Sequence, residues 1–309
     1  MSCKIAAEQN TDESIQLLAA ASTFYGRAKS IAGIQFILLV PAALAVSALI
    51  LAKPELKLWA TFYSLTVALL DILALDRLQT YYRKMGARTQ ELFDTTLFQL
   101  NWKTLRAGPE PDGEDLVRAA AFFHKKNTNR DLLKNWYPVV VSDLPLPLAR
   151  LICQRAACKW DTDLRRMFSI SAIVTLAVVL LGVLLIALAG EMKAEDVLLK
   201  IYSPVAPAVL WCIREFFRQS DALSGLEKLK SHIEAVWQKA LRGNTSEPEL
   251  VTDTREIQDC LFDGRSRHPL IYNWIYGMAR RFQEDGMKAT AADMVKEAQK
   301  RTLPTNSFS

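Results

Sequence analysis

The sequence predicts an all-α polytopic membrane protein: four transmembrane helices in two hairpins, with long cytoplasmic helical extensions. Three observations predict it. Met167–Ala189, MFSISAIVTLAVVLLGVLLIALA, carries no charge, proline or amide side chain, and it exceeds the ~20 residues a helix needs to cross a ~30 Å hydrocarbon core. Ile31–Ala52, IAGIQFILLVPAALAVSALILA, carries no charge and a single proline. Lysine and arginine are distributed unevenly: sixteen lie in Asp76–Arg166 and fifteen in Arg214–Ser309, whereas the short turns between spans hold only Lys53, Lys57 and Lys193. Basic residues mark the cytoplasmic face, so both termini and the large central segment are expected there.

Taken in order, Thr11-Asp12-Glu13-Ser14 supplies helix-start residues with acids in the first turn. The helix that follows runs into the first span, Ile31–Ala52, which Pro41 is expected to kink. Lys53–Lys57 is a tight turn. The second span is Leu58–Leu75, with Trp59, Phe62 and Tyr63 at its start, where interfacial aromatics belong. Its helical pattern continues through Phe98. Asn101–Gly113, with two prolines, reads as a loop. Glu114–Lys125 and Asp131–Trp136 read as short helices, and VVVSDLPLPL as an extended connector. A helix from about Ala149 enters the third span, Met167–Ala189. The fourth, Val197–Ile213, again continues beyond the membrane. Asn244–Pro248 is a linker, and three short helices near Thr254–Phe262, Pro269–Glu284 and Ala289–Arg301 close the chain. The resulting organisation is an N-terminal cytoplasmic helix (1–30), a first transmembrane hairpin (31–75), a central cytoplasmic region (76–166), a second hairpin (167–213) and a C-terminal cytoplasmic region (214–309).

Composition and motifs narrow the function. The net charge of +5 is what basic borders of spans produce, and it does not call for a nucleic acid polymer. The five cysteines, Cys3, Cys153, Cys158, Cys212 and Cys260, are odd in number and scattered, so no disulfide framework is indicated and a reducing compartment is expected. The polar, acidic start is not a cleaved signal peptide. His124, His232 and His268 fall in separate segments, and no HExxH, G-x-S-x-G, P-loop or GxGxxG occurs. No enzyme, metal or cofactor is expected.

Asp71 is an ionisable group inside a span, which marks a functional candidate facing the bundle interior. Thr61, Ser64, Ala68 and Asp71 share one face of the second helix. On the fourth, Ser203 and Arg214 share a face with Pro207 and Leu210. Asp71 and Arg214 lie at similar depth, ~20–25 Å from the external ends at ~1.5 Å per residue. Asp71 therefore either pairs with Arg214 or reaches the inner interface, or it lines a conduction path. One chain of four spans has little room for a pore, so the second reading expects a homo-oligomer with Thr61, Ser64, Asp71, Ser203 and Arg214 around its axis. Outside the spans, Lys125, Lys126 and Arg130 cluster in a polar break, and Arg150, Arg155, Lys159, Arg165 and Arg166 form a basic ladder. The ladder suits either anionic lipid headgroups or an anion pocket for a phosphate-bearing ligand, stacked on Trp136, Tyr137 or Trp160.

LFDTTLFQLNW (Leu92–Trp102), NWYP (Asn135–Pro138), CQRAACKWDTDLRR (Cys153–Arg166) and RHPLIYNWIY (Arg267–Tyr276) resemble the bacterial SMODS-associated four-transmembrane proteins, pore-forming effectors of nucleotide-signalled anti-phage systems. The likeness runs through nearly the whole chain. It implies a partner nucleotidyltransferase that makes a cyclic nucleotide, and a multi-pass protein that permeabilises the bacterial inner membrane in response. It brings no catalytic residues. The alternative reading is a membrane-anchored scaffold that recruits a cytosolic partner through Asn101–Pro145 and the C-terminal helices, without conduction.

Overall fold

The computed structural model describes residues 3–127, 129–189, 193, 195 and 203–302. Among these there is helix and turn but no strand. In chain order the helices are α1 (Ile5–Glu8), α2 (Asp12–Leu39), α3 (Pro41–Ala52), α4 (Lys57–Leu70), a π turn (Asp71–Leu75) and α5 (Asp76–Phe98). Then come α6 (Thr104–Ala107), α7 (Gly113–Lys126), 3-10 turns at Arg130–Leu133 and Val139–Asp143, α8 (Leu146–Ala189), α9 (Ser203–Leu241), α10 (Glu247–Arg267) and α11 (Asn273–Thr302). Three helical stretches are long and apolar enough to cross a membrane: Asp12–Val46, Leu58–Phe98 and Leu146–Gly182. The expected fourth span, Val197–Ile213, falls partly on 196–202, outside the described residues.

Local chemistry sets the helix ends. Thr11 Oγ1 accepts from the Ser14 N–H at 3.3 Å, and Asp12 and Glu13 occupy the first turn of α2, where acids complement the helix dipole. Pro41 has no N–H to donate, and the helix breaks one residue before it, at Val40. Gln99 adopts the left-handed conformation at φ 52° and closes α5, with Leu100 N–H bonding to Thr95 O at 2.9 Å, as in a Schellman motif. Ser246 and Glu249 form a reciprocal capping box that starts α10.

Several sequence expectations are corrected. VVVSDLPLPL is not extended: Val139–Asp143 winds as a 3-10 turn and α8 already begins at Leu146, because the leucines and Val141 are drawn into the core. Asp131–Trp136 is only a 3-10 turn, cut short where Asn135 enters the left-handed region. The loop Asn101–Gly113 contains the short helix α6. The three closing helices are two, since Glu247–Arg267 and Asn273–Thr302 are each continuous.

The helices pair along their length. α2 runs against α5, and Gly86 permits the approach: a Cβ there would meet the Tyr25 ring at 3.0 Å. α8 runs against α9, α7 covers α2, α10 bridges α5 and α8, and α11 lies on α8. These contacts form one apolar core from the first half of α2, the second half of α5, the first half of α8, α7, the later part of α9, α10 and α11. Beyond this core the same rods change character. α8 buries Leu151, Cys153, Cys158 and Leu164 completely, then exposes Ile170, Ile173, Val174, Val178, Leu181, Leu184, Leu185 and Leu188. An apolar surface that extensive marks a membrane or protein interface rather than a wetted face.

A polar cluster sits inside the core. Asp94, fully buried on α5, accepts from Tyr137 Oη at 2.8 Å, from Gln258 Nε2 at 3.0 Å and from Arg265. Glu91, one turn earlier, accepts from Arg255 at 2.6 Å and Gln258 at 2.8 Å. Arg255 also reaches Asp259 at 2.8 Å and Asn101 O at 3.1 Å. Gln9 holds the Tyr137 backbone from both sides, accepting its N–H at 2.7 Å and donating to its carbonyl at 3.2 Å. Removing one partner of such a buried ion pair costs roughly 3–5 kcal/mol, because the remaining charge is left uncompensated. Arg255→Ala is therefore expected to lower the melting temperature of the detergent-purified protein by on the order of 10 °C. The exposed Arg267→Ala should leave it within about 1 °C; equal shifts for the two would show that the network is not stabilising.

Candidate functional site

At the apolar end, Asp71 opens the π turn between α4 and α5, and Gln35 Nε2 of α2 donates to its Oδ1 at 2.8 Å. The expected partner, Arg214, lies exposed on α9 and makes no ion pair with Asp71. Equal depth was not enough to join them; where α9 meets this hairpin, the Phe36 and Trp211 rings stand 4.7 Å apart. Gln35 was missed in the sequence. The signal was present, since Gln35 is four residues inside the expected start of the first span and Asp71 four residues from the expected end of the antiparallel second. Tyr63 Oη donates to Leu38 O at 2.6 Å, three residues before Pro41, where the backbone ladder is interrupted. Thr61 and Ser64 face outward, and Ser64 bonds to Ala60 O at 3.0 Å. The Ser203 side chain lies outside the described residues.

The basic ladder turns inward and finds partners. Arg150 is buried and caps the end of α5 through Phe98 O and Gln99 O, where a cation offsets the helix dipole. Arg155 pairs with Glu234 at 3.1 Å, Arg166 with Glu227 at 2.8 Å, and Lys159 with Asp163. Arg165 is buried and binds Asp161 at 3.1 Å, Gln219 at 2.7 Å and Pro269 O at 3.1 Å. Three of these bonds, from Arg155, Arg165 and Arg166, clamp α8 to α9, and Arg150 and Arg165 are buried, so these two cannot serve lipid headgroups.

Arg155 and Trp160 do come together. With Lys159, Arg166, Met287 and Met294 they line a groove of about 480 Å³ between α8 and α11. Lys125 and Lys126 are exposed at the last turn of α7, and Trp136 is 38% exposed between Asn135 and the buried Tyr137. These three do not line the groove. Arg130 starts a 3-10 turn, and its side chain is outside the described residues. Among the described residues, no group of three or more His, Cys, Asp or Glu is placed to hold a metal ion.

The family model described as "SMODS-associating 4TM effector domain" matches residues 3–294. The chain belongs to this family. It is also similar to a "Probable CBASS effector molecule" of Bacillus cereus (strain VD146), 26% identical over 289 residues that cover 91% of this chain and 94% of the relative. Among solved structures, none matches.

In this SMODS-associating 4TM effector domain, the stretches that carry the sequence likeness converge on the buried polar cluster and its surroundings. Leu92–Trp102 supplies Asp94, and Phe93 and Phe98 pack on Tyr137 with ring centroids 6.3 and 5.2 Å apart. Asn135–Pro138 supplies Tyr137 and Asn135, whose N–H and Oδ1 both bond to the Asn10 side chain at 2.9 Å. Burial, reinforced by the Asp94 charge, raises the Tyr137 phenol well above its usual range, so it stays a donor to Asp94. Cys153–Arg166 supplies Gln154, which bonds to Thr254 O at 2.7 Å and Gln258 at 3.2 Å. Arg267–Tyr276 supplies Pro269 and the buried Ile271 and Ile275 against Leu164 and Phe168.

His268 lies between these elements. Its carbonyl accepts from Arg83 at 3.4 Å, its ring packs on Gly264, and its Nδ1 is buried without a hydrogen-bond partner. Burial, then the Arg165 charge, lowers its pKa from 6.5 to about 4. Between those values the unfolded chain takes up a proton that the folded protein refuses, so stability falls as pH falls through this window. Melting temperature should therefore decline from pH 6.5 to 5, above most carboxylate titrations. His268→Leu should flatten that decline, and an unchanged slope would exclude His268 as its source.

Proposed function

We propose that this chain is an anti-phage membrane effector that permeabilises the bacterial inner membrane when a nucleotide second messenger engages its helical core. The observation that carries this reading is α8: one unbroken helix, half packed in the core and half exposing an apolar stripe. The receiving part and the membrane part are thus built from the same rods. In this reading four helices span the bilayer as two hairpins, with the core and both termini on the cytoplasmic side. The family, and the relative named as a CBASS effector, support the defence role.

The groove between α8 and α11 is the preferred site for the messenger. Trp160 offers a stacking face, and Arg155, Lys159 and Arg166 can exchange their present carboxylate partners for phosphate. Lys125, Lys126 and Trp136 are the second candidate. A ligand shifts the membrane helices only by binding two packings of the core unequally. An exchange of the α8–α9 ion pairs for phosphate contacts provides that inequality, since Glu234 and Glu227 are both on α9. Conduction would run between copies of the chain, with Thr61, Ser64, Asp71 and Arg214 toward the shared axis. The Gln35–Asp71 bond then fixes how the second helix presents that face.

Co-expression with the cognate nucleotidyltransferase, followed with a membrane-potential dye, tests this. Depolarisation should accompany growth arrest, and Asp71→Leu should reduce it at least 10-fold at equal protein level. Arrest with an intact potential would leave the scaffold reading in its place, and an Asp71→Leu variant that still depolarises would remove Asp71 from the conduction path.

A further inference from the structure

A second concavity, of about 370 Å³, lies where α5, α6 and α10 meet. It is lined by Lys84 and Arg88 of α5, Arg106 of α6 and Arg267 of α10, with Asp263 as its one carboxylate and Tyr81 at its edge. The α8–α11 groove is different, because each of its cations is matched by a carboxylate. Here Asp263 is shared by Arg106 at 2.6 Å and Arg267 at 3.9 Å. Lys84 is exposed and takes part in no salt bridge among the described residues. Arg106 also reaches Asp259, outside the lining, at 3.5 Å; the lining side chains themselves carry four positive charges against one negative.

The wall is built rather than incidental. Arg88 is held by donation to Pro109 O and by Met85 Sδ, and its buried Nε has no hydrogen-bond partner. Pro109 reaches it through Gly108, at φ +77° and ψ −169°, backbone that is essentially restricted to glycine. Trp102 Nε1 fixes the same turn by donating to Gly108 O at 2.9 Å. Beneath it, Ala87, Ala107 and Phe262 form a small buried apolar cluster with Trp102 packed against it. A held guanidinium with exposed cations around an apolar floor is the chemistry that takes up a tetrahedral, multiply charged oxyanion.

We propose that this pocket binds a phosphate group, with Arg88 and Arg106 as its fixed donors and Lys84 and Arg267 closing over it. Two sources could present that group. Tyr81 is six residues past the expected end of the second span, about 9 Å along the helix, so an anionic phospholipid headgroup is within reach of the rim. A soluble phosphate-bearing molecule could enter from the aqueous side. The proposal is independent of whether the membrane is permeabilised, because it concerns occupancy alone.

The test uses the full chain in nanodiscs. One arm titrates inorganic pyrophosphate into neutral phosphatidylcholine discs, and the other replaces part of the lipid with phosphatidylglycerol; both read the thermal shift. A shift in the first arm assigns a soluble phosphate, and a shift only in the second assigns a lipid headgroup; either supports the pocket. The double variant Lys84→Gln/Arg267→Gln, altering two exposed side chains, should weaken the response at least 10-fold. Lys228→Gln/Lys239→Gln, which removes the same charge from the surface of α9, should not. No shift in either arm, or equal loss in the two double variants, would overturn the proposal.

Discussion

The Asp94 carboxylate is the point on which the core depends. It is fully buried, and it receives a phenol from the connector before α8 and an amide and a guanidinium from α10. A carboxylate in that position is tolerable only while its donors stay in place, since an unpartnered buried charge costs several kcal/mol. Each donor is itself fixed from elsewhere. Tyr137 is held by Gln9 after α1, and Gln258 by Gln154 of α8. Five segments, from Gln9 to α10, are thereby bound into one arrangement. Apolar packing alone would allow these helices to slide, because burial is insensitive to small displacements, whereas hydrogen bonds of 2.7–3.0 Å are not.

The all-helical class and the apolar stretches were legible because they follow from composition and length. A run such as Met167–Ala189 needs no tertiary information to be recognised, and the N-cap at Thr11 and the break before Pro41 are equally local. The connector Val139–Asp143 was not legible. Its valines and the prolines that flank it favour extended backbone in isolation, yet Val141, Leu144 and Leu146 are buried in the core, and this drew the segment into a compact turn. Likewise Asn273–Thr302 runs unbroken through Gly286, where helix propensity alone suggested an interruption.

The candidate sites show the same division. The basic ladder was visible as a charge pattern, but its partners Glu227, Glu234 and Gln219 are 54–79 residues away, so nothing in the local sequence said whether the cations faced lipid, ligand or another helix. Arg150 and Arg165 turned out to be structural, while Arg155 and Trp160 share a groove. Asp71 was found because a charge in an apolar run is conspicuous. Its partner was misread because depth along a helix fixes one coordinate and leaves the azimuth open. Gln35, an uncharged amide, drew no attention despite satisfying depth, hairpin adjacency and hydrogen-bonding need together.

The two polar centres, Asp94 and Asp71, are on one continuous helical path, 23 residues or ~35 Å apart. Between them the backbone is regular except at Asp71–Leu75, where the bonding shifts to the wider π pattern. A π turn carries one extra residue per turn and rotates everything beyond it. Here it turns Asp71 toward Gln35 while the rest of α5 keeps the register that brings Glu91 and Asp94 to α10. A regular α-helix through the same residues would present the two carboxylates at a different relative angle, and one of the two sets of bonds would be lost. The irregularity is thus the geometric compromise that lets one helix satisfy a charge network at its polar end and a single amide–carboxylate bond at its apolar end.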